Sequence, residues 1–440
     1  MHQNYNTAIQ AKKAILIGIK LRHDIHSEVE ESIRELADLA TTSGIKVTCE
    51  LIQTKDAPNA AYFVGQGKLN EIKTTAEQTK SEIVVFDADL SPAQTRNIEK
   101  ALNLVVIDRT GLILQIFAQR AQTKEAKLQV DLAQLQYALP RLTRMWTHLS
   151  RQATAGSGAA SGGAGQGGGA VRGAGETQLQ IDRKLISHQI SHLKKVLKDI
   201  EKQRRVQRHN RAKIVNISLV GYTNAGKSTL FNVLTSANQL AENKLFATLD
   251  PTTRTVELPK NQKVLVTDTV GFIKKLPHQL VAAFKATLEE VAESNFLLHI
   301  VDASHPQIDL HIQTVNSVLQ EIGASNVPSL VVFNKTDQVD EEFLFTLQIK
   351  HPKSLVISAL TGDGIQELKN HIAKIISKHD ICLSISLSYQ DAKALDYLYN
   401  HGHIVSTDYR TEEIFIQAQL PRRHLKLLDQ LLVNSTHTIQ

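Results

Sequence analysis

Residues 221–228 read Gly-Tyr-Thr-Asn-Ala-Gly-Lys-Ser, the types and spacing of a loop that wraps phosphates. They match G-x-x-x-x-G-K-[S/T] and sit between an apolar run, Ile214 to Val220, and a helix-compatible stretch, Thr229 to Leu234. Gly221 and Gly226 let the backbone curl, so that amides from Tyr222, Thr223, Asn224 and Ala225 through Thr229 point inward at a nucleotide's phosphates. Lys227 brings a charge to the outer phosphates, the Ser228 hydroxyl is a Mg²⁺ ligand, and the following helix start favours anions.

The motifs downstream come in the order a nucleotide-hydrolysing fold requires. Val264 to Thr267 is a buried-strand pattern running into Asp268-Thr269-Val270-Gly271. An acid at the tip of such a strand holds Mg²⁺ through its water shell, and the Gly271 amide can approach the γ-phosphate. Two more apolar strands follow, Phe296 to Asp302 and Ser329 to Phe333, the second leading into Asn334-Lys335-Thr336-Asp337. The Asp337 carboxylate can accept from the N1–H and the exocyclic amine of guanine. Adenine has neither donor there, so an unpaired carboxylate penalises ATP. Asn334 is expected to brace the phosphate loop, and the Lys335 stem to cover one face of the base. Strand Leu355 to Ile357 delivers Ser358-Ala359-Leu360, whose backbone amides are expected at the guanine carbonyl oxygen. The ligand is therefore GTP or GDP.

Between the first and second motifs lies Leu245-Phe246-Ala247-Thr248-Leu249-Asp250-Pro251-Thr252-Thr253-Arg254. A switch loop needs a hydroxyl that completes the Mg²⁺ shell only while the γ-phosphate is present. Thr248, Thr252 and Thr253 can each supply it, and spacing alone does not choose. Many such switches place Gln directly after D-x-x-G to orient the attacking water; here the residue is Phe272, which cannot. Either a partner completes the site or another group positions the water. Asn224 is a candidate K⁺ ligand, the cation standing where an arginine finger would place its charge.

At 440 residues the chain has length for about three domains. Its only cysteines are Cys49 and Cys382, which argues against a disulfide framework or a cysteine-based zinc site. The start shows no charged-then-apolar signal, and no apolar run approaches the roughly 20 residues of a membrane span, so the expected compartment is the cytoplasm. The net charge is +6. The positive charge is concentrated: Arg183 to Lys213 holds eleven Lys or Arg against Asp199 and Glu201.

That basic stretch also carries Ile186, Ile190, Leu193, Leu197 and Ile200, a spacing that gives a helix one apolar seam. Upstream, Leu128, Leu132, Leu135, Leu139, Leu142 and Trp146 repeat it, with Pro140 expected to kink or break the helix. Two seamed helices packed antiparallel make a hairpin with a basic outer face, and Arg172, Lys194, Lys195, Lys198, Lys202, Arg204, Arg205 and Arg208 are its candidate RNA contacts. Residues 154–175, with ten glycines, form the connector. The first 110 or so residues alternate strand and helix (Ala14–Ile19, 27–41, Lys46–Cys49, 68–78, Ile83–Phe86, 92–101, Leu104–Ile107), the pattern of a parallel sheet covered by helices. Gly65-Gln66-Gly67-Lys68 opens one helix but falls short of a dinucleotide fingerprint. After Lys378, strands near 381–387, 403–407 and 414–418 with helices near 391–400 and 422–432 suggest a small α+β appendage.

The expected fold class is α/β. A P-loop GTPase domain (213–379), a mostly parallel sheet with helices on both faces, follows a parallel α/β domain (1–125) and the helical hairpin (126–212) and precedes a small α+β domain (380–440). Taken together, the phosphate loop, Phe246-Ala-Thr-Leu-Asp-Pro251, Asp268-Thr-Val-Gly-Phe272, Asp108-Arg-Thr110, Ile116-Phe-Ala-Gln-Arg-Ala121, Glu125-Ala-Lys-Leu-Gln-Val130, Leu139-Pro-Arg-Leu142 and Arg172-Gly-Ala-Gly-Glu-Thr-Gln178 resemble the HflX GTPases of the Obg–HflX group. That resemblance implies Lys227, Thr248 and Gly271 as the catalytic residues and Thr248 as the switch threonine on Mg²⁺ beside Ser228 and Asp268. It places Phe246, Ala247, Leu249 and Asp250 along the nucleotide. It further implies that the GTP form binds the large ribosomal subunit and its RNA near the peptidyl-transferase centre and dissociates stalled or stress-hibernating ribosomes. A monomer with no DNA partner, and at most peripheral membrane association, is expected. Two other functions fit the residues. One is a GTP-regulated adaptor holding a protein or membrane partner through the basic hairpin; the other is an N-terminal sheet that is itself a nucleotidase.

Overall fold

The computed structural model describes residues 12–144, 170–211, 214–236, 245–259, 262–275, 285–377 and 380–439, apart from 23, 390, 411–412, 422–426, 429–430 and 433–436. The chain divides into two compact units. One comprises Met1–Lys202, Lys244–Leu249 and Lys275–Phe284; the other comprises Gln203–Asn243, Asp250–Lys274 and Lys285–Gln440.

The first unit carries a parallel sheet of order β2-β1-β3-β4, made of β1 (Lys13–Leu21), β2 (Lys46–Lys55), β3 (Ile83–Phe86) and β4 (Val105–Asp108). All of β3 is buried, as a strand covered on both faces must be. Helices α1 (His26–Thr42), α2 (Gln66–Thr79) and α3 (Pro92–Leu102) join successive strands. Ser91 and Gln94 form a capping box on α3, with Pro92 at its first position. The expected alternation is therefore present. β2 extends to Lys55, well past the expected Cys49, because pairing with β1 as far as Leu21↔Lys55 holds a partly exposed strand end that no apolar run marks.

Two helices follow β4: α4 (Arg109–Arg120), capped by Asp108, and α5 (Lys124–Ala138), capped by Thr123. α4 is absent from the sequence reading. The chain tightens into a 3-10 turn at Leu139–Arg144, around Pro140, which cannot continue an α-helix hydrogen-bond ladder. Trp146 lies outside the described residues.

Helix α6 (Ala170–Arg211) runs for 42 residues. It starts inside the expected connector, so residues 170–175 are helical; 154–169 lie outside the described residues. Its seam is sheltered, with Ile190 buried and Ile186, Leu193, Leu197 and Ile200 half-buried. α5 and α6 line one groove through Asp131, Gln134 and Leu135 on one side and His188, Gln189, His192 and Leu193 on the other.

The second unit is built on a six-stranded sheet of order β10-β9-β8-β5-β7-β6, from β5 (Val215–Gly221), β6 (Thr252–Leu258), β7 (Gln262–Asp268), β8 (Phe296–Asp302), β9 (Ser329–Asn334) and β10 (Leu355–Val356). Every pairing is parallel except that of the edge strand β6, which runs antiparallel to β7. Helices α7 (Lys227–Thr235), α8 (Lys285–Ala292), α9 (Ile308–Glu321), α10 (Glu341–Lys350) and α11 (Ile365–Ser377) accompany it. Ile217, Leu219, Leu230, Phe231, Leu298, Ile300, Val332 and Leu368 form the centre of its core.

A separate antiparallel sheet, order β12-β13-β11-β14, closes the chain: β11 (Asp380–Ser388), α12 (Ala392–His401), β12 (His403–Tyr409), β13 (Glu413–Pro421) and β14 (His437–Ile439). Most of the helix expected at 422–432 lies outside the described residues.

Candidate functional site

Five parallel strands deliver their carboxyl ends to one edge of the six-stranded sheet, where open α/β sheets bind ligands. β5 ends at Gly221, β7 at Asp268, β8 at Asp302, β9 at Asn334, and β10 leads into Ile357 and Ser358. Shared strand polarity thus gathers motifs spread over more than a hundred residues.

Two glycines are required in the phosphate loop. A Cβ on Gly221 (φ +155°) would lie 2.2 Å from the Ile300 carbonyl oxygen, and one on Gly226 (φ +90°) 2.1 Å from Asn334 Nδ2. The second close approach serves a purpose. Asn334 Nδ2 donates to the Ala225 carbonyl at 2.9 Å, while its Oδ1 accepts from the Ala359 amide at 2.9 Å. One buried amide side chain therefore joins the phosphate loop to the loop after β10.

Lys227, at the start of α7, is buried, and its ammonium donates to the carbonyls of Gly221 (3.1 Å) and Tyr222 (2.7 Å). Burial lowers its pKa to about 8, against the pull of Asp268 in the opposite direction. The Ser228 hydroxyl donates to Asp268 Oδ2 at 2.7 Å, and Asp268 is fully buried.

The segment after D-x-x-G is laced onto the loop. Phe272 donates its amide to the Gly221 carbonyl at 3.1 Å and accepts from the Thr223 amide at 2.7 Å. Thr269 Oγ1 donates to the Leu219 carbonyl at 2.6 Å. Tyr222 adds a contact that the sequence did not announce. Its ring stacks on His311 at 3.8 Å, His311 stacks on His305 at 4.0 Å, and its hydroxyl accepts from the Lys274 amide at 2.8 Å. Burial, with the neighbouring His305 adding to it, lowers the His311 pKa to about 3, so this column of rings is neutral at His311. Asn224 is exposed with φ +59°.

On the base-reading side, Asp337 is exposed and accepts from the Ser358 hydroxyl at 2.6 Å. Lys335 (φ +65°) pairs with Asp302 at 2.6 Å, which fixes its stem along the loop. The sequence marks Asp302 only as the end of an apolar strand; its pairing with Lys335 comes from the fold. The backbone amides expected at the guanine oxygen are engaged here: Ser358 N–H donates to Asp363 at 3.0 Å and Ala359 N–H to Asn334. Leu360 is exposed.

Thr252 and Thr253 begin β6, and Thr253 Oγ1 lies 3.0 Å from Thr267 Oγ1, so strand pairing takes up both residues. In the division of the chain Phe246, Ala247, Thr248 and Leu249 belong to the first unit, and Gly221–Ser228, Asp268–Gly271 and Asn334–Asp337 to the second. Phe246 (φ +55°) is buried edge-on against Phe117, ring centres 4.7 Å apart. Lys275, also of the first unit, reaches Asp87 at 2.8 Å; Asp87 further accepts from Arg109 Nη1 (2.7 Å) and Ser32 Oγ (2.6 Å). Nothing in the sequence pointed to that buried cluster.

Lys194, Lys195, Lys198 and Lys202 are exposed along α6. The side chains of Arg172, Arg204, Arg205 and Arg208 lie outside what is described. Among the described residues no helix is long and apolar enough to cross a membrane, and no cluster of three or more His, Cys, Asp or Glu could hold a metal by itself.

Three family models match in succession: a GTP-binding GTPase N-terminal region over residues 30–118, a GTP-binding GTPase middle region over 120–211, and a 50S ribosome-binding GTPase over 216–335. The chain is 44% identical to the GTPase HflX of Magnetococcus marinus over 374 residues, 84% of each protein. It is 42% identical to the GTPase HflX of Escherichia coli over 392 residues, 88% of each. A solved GTP-binding protein of Sulfolobus solfataricus in complex with GDP aligns at 28% identity over 83% of this chain and 98% of its own, with a TM-score of 0.43. With its G motifs at the strand ends and identities above 40% over most of its length, the chain belongs to the HflX family of GTPases, enzymes that hydrolyse GTP.

Proposed function

We propose that this GTPase binds the large ribosomal subunit in its GTP form, through ribosomal RNA, and separates stalled or hibernating ribosomes as it cycles. The observation that carries the reading is the exposed row Lys194, Lys195, Lys198 and Lys202 on a helix whose opposite seam is sheltered. Four ammonium groups within about two turns suit a phosphate backbone. The match of residues 216–335 to a 50S ribosome-binding GTPase supports the same partner.

In the nucleotide site, Asp337 reads guanine, Asn334 sets the spacing between base and phosphates, and Lys227 meets the β- and γ-phosphates. A hydroxyl and a buried carboxylate 2.7 Å apart are hard oxygen donors of the kind Mg²⁺ takes alongside phosphates and water. Ser228 and Asp268 would hold that ion, Asp268 through water, and Thr248 would join them when the γ-phosphate is present. The ion would supply charge that stabilises the departing phosphates. Membership of the HflX family makes Thr248 the switch hydroxyl of this reading. Asn224, exposed in the left-handed conformation, is the K⁺ ligand of this reading.

Co-sedimentation with purified ribosomal subunits tests the proposal. The protein pellets with the large subunit in a non-hydrolysable GTP analogue and less with GDP; association indifferent to the nucleotide rules out the switch. Replacing Lys194, Lys195, Lys198 and Lys202 together by glutamine flattens the slope of log affinity against log salt by about 3. An unchanged slope excludes this face as the RNA contact, and a salt-insensitive partner in its place favours a protein adaptor. Thr248→Ala slows hydrolysis about 100-fold while GDP affinity changes less than about threefold. Equal losses in both would remove Thr248 from the role of γ-phosphate sensor.

A further inference from the structure

Thr223, 7% exposed, carries a buried hydroxyl that has no hydrogen-bond partner among the described residues. Folding alone disfavours such a group, because a valine of the same shape would fill the space without stranding a polar atom. Its main chain is already committed, the amide donating to Phe272 at 2.7 Å. The side chain abuts the switch glycine: a Cβ built on Gly271 would lie 2.9 Å from Thr223 Cγ2 and 3.1 Å from Lys227 Nζ. The methyl therefore faces Gly271, and a single rotamer step about Cα–Cβ exchanges it for the hydroxyl. The same neighbourhood lacks the side chain that orients water in many relatives of this fold, since Phe272 occupies that position and is buried.

We propose that Thr223 is a catalytic residue of GTP hydrolysis, its hydroxyl holding the attacking water in line with the γ-phosphate. A hydroxyl has one donor and two acceptor sites, enough to donate to a γ-phosphate oxygen and accept from the water at once. The water oxygen forms a bond to the γ-phosphorus, and the bond to the β–γ bridging oxygen breaks, its electron pair leaving with GDP. The water's proton ends on the released phosphate, and Thr223 keeps its own. Correct placement of the nucleophile is most of what the protein can contribute to this reaction. The inference rests on GTP hydrolysis alone and stands or falls independently of the ribosomal reading.

The test uses the full chain without ribosomes, comparing Thr223→Val and Thr223→Ser. Single-turnover hydrolysis, GDP affinity by calorimetry and thermal unfolding are measured on each. The valine variant is expected to lose about 10- to 100-fold in rate, with GDP affinity within about twofold and a melting temperature unchanged or raised. The serine variant, which restores the hydroxyl, stays within about threefold of the native rate. Three results overturn the proposal: a valine variant at the native rate, a parallel fall in rate and GDP affinity or loss of the fold, and a serine variant as slow as the valine.

Discussion

Asp337→Asn is expected to bind GTP about a thousandfold more weakly and to take xanthosine triphosphate in its place. The carboxylate, steadied by the Ser358 hydroxyl at 2.6 Å, offers acceptors to the N1–H and the exocyclic amine of guanine. Charge-assisted bonds of this kind are worth about 1.5–3 kcal/mol each. The carboxamide removes the charge and turns a donor toward the guanine amine, so about 4 kcal/mol, or roughly a factor of 10³, is lost. Xanthine carries a carbonyl where guanine carries that amine, and the new donor fits it. Calorimetry with guanosine, xanthosine and adenosine triphosphates checks the result. Uniform loss across all three would mean that the loop had collapsed and that Asp337 was not the reader.

Gly226→Ala is expected to lower GTP and GDP affinity alike by about 100- to 1000-fold and to destabilise the fold by about 2–4 kcal/mol. The native φ of +90° is costly for any side chain, and the added methyl carbon would lie 2.1 Å from Asn334 Nδ2. Asn334 must then move. Its bonds to Ala225 and Ala359 join the phosphate loop to the base-side loop, so both would lose their spacing. Chemical denaturation together with nucleotide titration measures the two effects. An alanine variant that binds GDP normally would show that the loop tolerates the displacement and that Asn334 is not its brace.

The nucleotide-site motifs were legible because their requirements are local. Glycines where the backbone turns, a lysine and serine at a helix start and an apolar run before each motif are set by spacing along the chain. Strand polarity then does the assembly, bringing Gly221, Asp268 and Asn334 to one edge of the sheet. The parallel N-terminal sheet was readable for the same reason. Elements marked by no continuous apolar run were not readable. β6 holds its register only by pairing with β7, and β14, three residues long, only by pairing with β11. The sequence predicts no helix at Arg109–Arg120, where α4 follows β4 directly behind its Asp108 cap.

By itself, then, the order of residues determined the reaction class and the guanine nucleotide, since each depends on chemistry within a few positions. Tertiary structure alone decided which distant groups share those loops. Tyr222 leans on His311, Lys335 on Asp302, and Thr223 is left with a buried hydroxyl beside Gly271. Tertiary structure also drew Phe246 and Lys275, from either side of the D-x-x-G strand, into the unit built around Phe117 and Asp87. Such pairings depend on packing between residues tens to hundreds of positions apart, and no local pattern in the chain encodes them.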